Sequence, residues 1–217
     1  IIGGGRFCSL RNFKFIAGQT PVLMLRAFAQ LIVVTTGSID ISVGSNLGFS
    51  AFMAALGMSW LGPIGVVIGL LAGVLVGLIN GFIFSFLKIS SFVTTLAMLI
   101  MARAVLIIVS DGGSIYLTDS LASGGTNVDS VAAPWLLSLG TFPNIFFFAL
   151  VVAVLMWLFY EKTLFGQQLK ALGGNEKVLR LFGVAVNWVK LKVFVATGFM
   201  VGLAAFINLA RSGAATP

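Results

Sequence analysis

The sequence predicts an all-α fold, a polytopic transmembrane helix bundle of about six spans with a broken helix at residues 37–45. Three observations predict it. Of 217 residues, 59% are hydrophobic and 9% charged, with a mean hydropathy of +1.11, which is more apolar surface than a water-soluble domain can bury. Apolar segments of span length recur between short polar breaks. Charge is polarised: Glu161 to Lys192 holds six basic residues (Lys162, Lys170, Lys177, Arg180, Lys190, Lys192) against two acids, whereas 111–140 carries Asp111, Asp119 and Asp129 and no base. The positive-inside rule puts 161–192 in the cytoplasm and 111–140 on the extracytoplasmic side. Residues 1–217 read as a single membrane domain.

Composition also excludes classes. The formal charge of +7 is gathered in one loop and near the N-terminus beside apolar spans, so it reads as contact with the lipid bilayer, and no nucleic acid partner is expected. One cysteine, Cys8, excludes an internal disulfide, and without histidine the usual metal and proton-relay ligands are missing. No cofactor and no metal site are expected.

Residues 1–16 carry Arg6, Arg11 and Lys14 with no acid, and Gly3 to Gly5 loosen them. The first span runs over 17–36, with Arg26 close enough to one end to snorkel. It stops at GSIDISVGS, 37–45, where Ser38, Asp40, Ser42 and Gly44 alternate with Ile39, Ile41 and Val43. Extended backbone cannot face lipid unpaired, so this stretch lies against protein, lines a polar cavity or sits at the surface. The next span, 45–59, is too short to cross ~30 Å of hydrocarbon unless part of GSIDISVGS enters with it, which makes a broken helix. Broken helices are where transporters place substrate contacts. Asp40 and Ser42 are therefore substrate-path candidates, the other reading being that they cap the helix after them.

Trp60, Gly62 and Pro63 mark a turn at an interface. The span 63–87 contains Gly65, Gly69, Gly73, Gly77 and Gly81, and a step of four advances about 40° round a helix. The smooth stripe therefore winds across the surface and predicts close helix packing against several neighbours. Asn80, on the same helix, is read as an interhelical hydrogen bond or a further substrate-path residue. Lys88 closes the helix, and Ser90 or Ser91 caps a span over 91–110 in which Arg103 should pair inside the bundle or snorkel. In the acidic loop, 132–139 is expected to dip into the interface beside Trp135. Spans at 142–160 and 188–210 complete the set. Counting back from the cytoplasmic loop puts residues 1–16 outside, against their own basic charge; the later loops carry the larger contrast and decide the orientation.

Inside 161–192 a short helix has readable ends. Gly173 and Gly174 break the segment before it, Asn175 caps it, Glu176 favours its first turn and Gly183 stops it. Its apolar side chains, Val178, Leu179, Leu181 and Phe182, need cover on an element too short to stand alone, either from this chain's own helices or from a partner.

GSIDISVGS at 37–45, GLINGFIFSFLKISSFVTTLAMLIMARA at 77–104 and the stretch from TLFGQQLKALGGNEKVLRLFGVAV to LARSGAA at 163–215 resemble the membrane permeases of ribose-type sugar ABC importers. Two departures are Ser38, where the family has a second glycine, and the lack of a proline near Ser91. The resemblance implies a permease subunit of an ATP-driven sugar importer in the bacterial inner membrane. It also implies three partners: a cytoplasmic ABC ATPase subunit, an extracytoplasmic sugar-binding protein, and a second permease copy in a homodimer or heterodimer. Asn175 to Gly183 would then be the ATPase-coupling helix, with Val178, Leu179 and Phe182 supplying buried contact and Glu176, Lys177 and Arg180 setting register. No enzymatic step falls to this chain. The family has a further helix before residue 17 and several after Pro217, so the chain is expected to be cut at both ends. The alternatives are a secondary transporter or channel independent of ATP, using Asp40 and Arg103, and a membrane enzyme, which lacks a nucleophile with a base.

Overall fold

A computed structural model describes residues 9–117, 128–130 and 133–217. The readings made for Arg6, Gly3 to Gly5, Asp119 and Ala132 lie outside the described residues. The helices are α1 (Leu10–Thr35), α2 (Val43–Leu61), α3 (Val66–Phe86), α4 (Ser91–Ser110), α5 (Pro134–Leu139), α6 (Asn144–Lys162), α7 (Leu164–Gly174), α8 (Glu176–Leu181) and α9 (Val186–Ser212). Three short strands, β1 (Ser114–Tyr116), β2 (Val128–Ser130) and β3 (Ala214–Ala215), form one sheet in the order β2-β1-β3. The chain is thus an all-α polytopic bundle.

Among the described residues, five stretches are long and apolar enough to cross a membrane, and one of them, Val43–Phe86, is 44 residues long. That stretch is two antiparallel helices, because a 3-10 turn at Gly62–Gly65 folds α3 back on α2. The turn needs glycine at 62, whose φ is 61°. Six membrane-length segments result. α2 has 19 residues, about 28 Å at 1.5 Å per residue, because Val43 and Gly44 of GSIDISVGS join it.

α9 is the axis of the bundle, with α3, α1 and α2 packed round it, and its side chains are buried along most of its length. The glycines of α3 meet different partners in turn. A Cβ at Gly65 would overlap Gly57 of α2, and one at Gly69 would overlap Ala54 and Ser50. One at Gly73 would come within 2.8 Å of the Gly198 carbonyl of α9, and one at Gly77 would overlap the Phe194 carbonyl. At Gly81 it would lie 3.0 Å from Leu191. The drift of the stripe thus carries α3 from α2 at one end to α9 at the other.

The bundle has a basic and an acidic end. At the basic end lie the α1–α2 link, Lys88, α7 and α8; Gly173 abuts the Thr35 carbonyl, and Thr35 Oγ1 lies 3.2 Å from Tyr160 Oη. At the acidic end the sheet clips the chain after α9 to the loop after α4, pairing Ile115 with Ala215. There α5 buries Leu136, and Gly140 abuts Ala210. Phe15 lies under the Arg211 guanidinium at 6.0 Å, so the described N-terminal residues sit at the acidic end, as counting spans requires. Arg103 is exposed on α4 and pairs with no acid among the described residues; seven residues from Ser110, it is about 10 Å from the helix end and within snorkelling reach.

Candidate functional site

Two features at the basic half of the bundle carry chemistry. The first is the α1–α2 link. Gly37 adopts φ 72° and turns the chain out of α1, after which residues 38–41 belong to no helix or strand. The alternation is inverted relative to a soluble strand: Ser38, Asp40 and Ser42 are buried while Ile39 is exposed. This suits a chain whose surroundings are apolar. α4 satisfies the freed backbone amides, since Ile39 N–H donates to Ser91 Oγ and Ile41 N–H to Thr95 Oγ1, both at 3.2 Å. From α1, Gln30 Nε2 donates to the Asp40 carbonyl at 2.6 Å.

Asp40 Oδ1 accepts two bonds, from Ser42 N–H at 2.8 Å and Ser42 Oγ at 2.6 Å, so it turns the chain into α2. The single Ser42 hydroxyl proton is spent on Asp40, leaving Ser42 Oγ to accept from Asn80 Nδ2 at 2.9 Å. Ser42 and Asn80 are both sealed from solvent, and together they tie α3 to the start of α2. One turn on, Ser50 donates to Asn46 Oδ1 at 3.1 Å, and Asn46 donates to the Gly73 carbonyl at 3.3 Å.

Asp40 differs from its two neighbours because it also lines a cavity of about 520 Å³, together with Arg26, Ala27, Gln30, Ile39 and Ile41. Arg26 sits nine residues before the end of α1 and reaches over Gly44, where a Cβ would lie 3.9 Å from its Nη2. The sequence showed Arg26 only as a charge near a span end. Its approach to Asp40 depends on how the link folds back, which no local pattern records.

The second feature is the basic-end loop. α7 went unrecognised in the sequence, although Phe165, Leu169 and Leu172 recur at helical spacing and Thr163 caps it by accepting from Gly166 N–H at 3.1 Å. Asn175, extended at φ −159°, then accepts from Lys177 N–H at 3.0 Å and Val178 N–H at 3.3 Å and starts α8. Leu179 turns inward and is buried with Leu172, Val186 and Val189. It is therefore the anchor of α8 on its own protein and cannot serve as contact for a partner.

Glu176 fixes the docking. It accepts from Lys190 Nζ of α9 at 2.7 Å and from Arg180 Nη2 at 2.7 Å. The Lys190 hydrogen bond, followed by that of Arg180, holds the Glu176 carboxyl below its ordinary value. These bonds favour the docked α8 at any pH above the ordinary glutamate range, and the contribution is lost as pH falls through the depressed value. Glu176→Gln is expected to loosen α8 at neutral pH, read as faster amide hydrogen exchange over 177–183 at fixed pH; unchanged exchange would remove this role. With Leu179 inside, the outward face consists of Lys177, Val178, Leu181, Phe182 and Gly183, and Leu181 and Phe182 are 86% and 81% exposed.

A family model described as "Branched-chain amino acid transport system / permease component" matches residues 12–217. Among curated proteins, the ribose import permease protein RbsC of Haemophilus influenzae is 32% identical over 220 residues, covering 97% of this chain and 64% of the relative. The xylose transport system permease protein XylH of Escherichia coli is 26% identical, covering 98% of this chain and 68% of the relative. RbsC of Bacillus subtilis is 32% identical, covering 95% and 62%. The chain therefore spans less than two thirds of the length of the ribose permeases, at 64% and 62%. No solved structure matches it. With a permease-family match over nearly the whole chain and helices of membrane length in a bundle, the chain is a multi-pass inner-membrane protein that belongs to the permease-component family of the branched-chain amino acid transport systems, on the branch that resembles ribose-type sugar permeases.

Proposed function

We propose that this chain is the membrane-spanning part of an ATP-driven importer of a small sugar, and that α8 couples it to a cytoplasmic ATPase subunit. The observation that carries the coupling is the outward face of α8. Leu181 and Phe182 stand exposed on a helix whose own anchor, Leu179, is already used. A capped and ion-paired helix is rigid enough to transmit a push, and its apolar face at the basic, cytoplasmic end fits a protein cleft better than water. Closure of the ATPase pair would move α8, and through the Glu176–Lys190 bond and the Leu179 contact it would move α9, the axis of the bundle.

The relatives' names supply the substrate class, ribose and xylose. An extracytoplasmic sugar-binding protein would deliver the solute at the acidic end, and a second permease subunit would complete the path. In this reading 1–217 acts as one transport unit, Asp40 belongs to the path, and Ser42 and Asn80 hold Asp40 in place.

The test is uptake of labelled ribose and xylose into proteoliposomes holding the permease, its cognate ATPase and the binding protein. Uptake that requires ATP is the expected result. Uptake that persists without the ATPase would make the chain a secondary transporter and overturn the proposal.

A further inference from the structure

We infer that the cavity between α1 and the α1–α2 link is a subsite for a neutral polyhydroxylated solute, held between the Arg26 guanidinium and the Asp40 carboxylate oxygen that Ser42 leaves free; the inference rests on the importer reading above. The cavity measures about 520 Å³, inside the roughly 300–1,000 Å³ range of small-ligand pockets. Both charges line it, yet they form no ion pair with each other. Arg26 makes no hydrogen bond or ion pair among the described residues, and Asp40 commits only Oδ1, to Ser42.

Two charges left apart within a membrane bundle are costly unless something between them is polar. An anion would meet Asp40, and a cation would meet Arg26. A zwitterion or a neutral sugar satisfies both, and the ribose and xylose permeases among the relatives favour the sugar, one hydroxyl of which accepts from the guanidinium while its neighbour donates to the carboxylate. Gln30 is committed to the Asp40 carbonyl, so its amide oxygen remains as a further acceptor on the same wall. Ala27, Ile39 and Ile41 supply apolar faces for the sugar's C–H groups. The link itself has its backbone satisfied by Ser91, Thr95 and Gln30, so the subsite does not depend on solute to hold its shape.

Two measurements on the assembled importer test this. In a Cys8→Ser background, Ala27→Cys places a thiol on the cavity wall, to be challenged in membranes with a water-soluble methanethiosulfonate reagent. The expected result is labelling that ribose or xylose slows. No labelling, labelling that neither sugar slows, or protection by ribose 5-phosphate or by leucine in preference to ribose would each overturn the inference. The second measurement is Arg26→Gln, with assembly checked by co-purification. Losing one charge-assisted bond is expected to raise the KM for uptake about tenfold, with partial recovery in Arg26→Lys. An unchanged KM in the assembled variant would overturn the inference, and if that variant does not assemble, the thiol protection decides. Sugar protection in a chain that imports nothing would leave the subsite standing and remove the importer reading.

Discussion

Leu181→Asp combined with Phe182→Asp is expected to abolish co-purification of the chain with its cognate ATPase subunit while leaving the bundle folded. Both side chains are almost fully exposed, so the substitutions cost the chain's own packing almost nothing. In a cleft they would be the desolvated apolar anchors, and hot-spot residues of this kind are worth about 2 kcal/mol or more each, so together they cost roughly a thousandfold in affinity. Leu179→Ala makes the contrasting variant. It removes the inward anchor, so it should loosen α8 and weaken the ATPase contact only indirectly. Equal ATPase binding by wild type and the double variant would mean that the outward face of α8 is not the dock.

Gly77→Ala is expected to have the largest effect on the fold. Its Cβ would overlap the Phe194 carbonyl, a backbone atom within α9 that cannot step aside as a side chain can. α3 and α9 must separate, loosening the most extensive helix contact in the bundle, at a cost of about 3 kcal/mol or more. Gly18→Ala is the control, since nothing lies within 4 Å of the Cβ it would add to α1, and it is expected to be neutral. Thermal unfolding in detergent reads both. A Gly77→Ala protein as stable as wild type would show that α3 and α9 are not tightly apposed.

What the sequence disclosed and what it hid follow from range. Hydrophobic length and charge contrast act over whole spans, so the bundle, its two ends and the return at Gly62 to Gly65 were legible. Asn175 was legible as a cap because capping is settled within three residues. Which side of α8 faces inward was not legible. At 100° per residue, Val178, Leu181 and Phe182 share one face and Leu179 lies off to the side, but a six-residue helix with four apolar positions in or beside it offers no period long enough to choose. Only the positions of Leu172, Val186 and Val189, which come from α7 and α9, decide that Leu179 is the anchor.

α7 was hidden by a different cause. Its apolar positions lie amid glycines and a polar face, and its fit depends on the tight approach of Gly166 to the Tyr160 carbonyl. The alternation of GSIDISVGS was visible, but its meaning was not. The pattern records which side chains point inward, while the partners that make the stretch stable, Ser91 and Thr95, lie more than fifty residues away, and so does Asn80's tie to Ser42 across 38 residues. Arg26 belongs to the same category, since its role depends on the link folding back over α1.

The most direct test of the central claim is a cross-link at the face that α8 turns outward. In a Cys8→Ser background, Phe182→Cys is treated in native membranes with a short bifunctional maleimide in the presence of the cognate ATPase. An adduct between the two subunits is expected at Phe182→Cys and not at Leu164→Cys, an equally exposed position on α7 outside the docking face. An adduct at Leu164→Cys with none at Phe182→Cys, or no adduct at either position in an importer that transports, would contradict the claim.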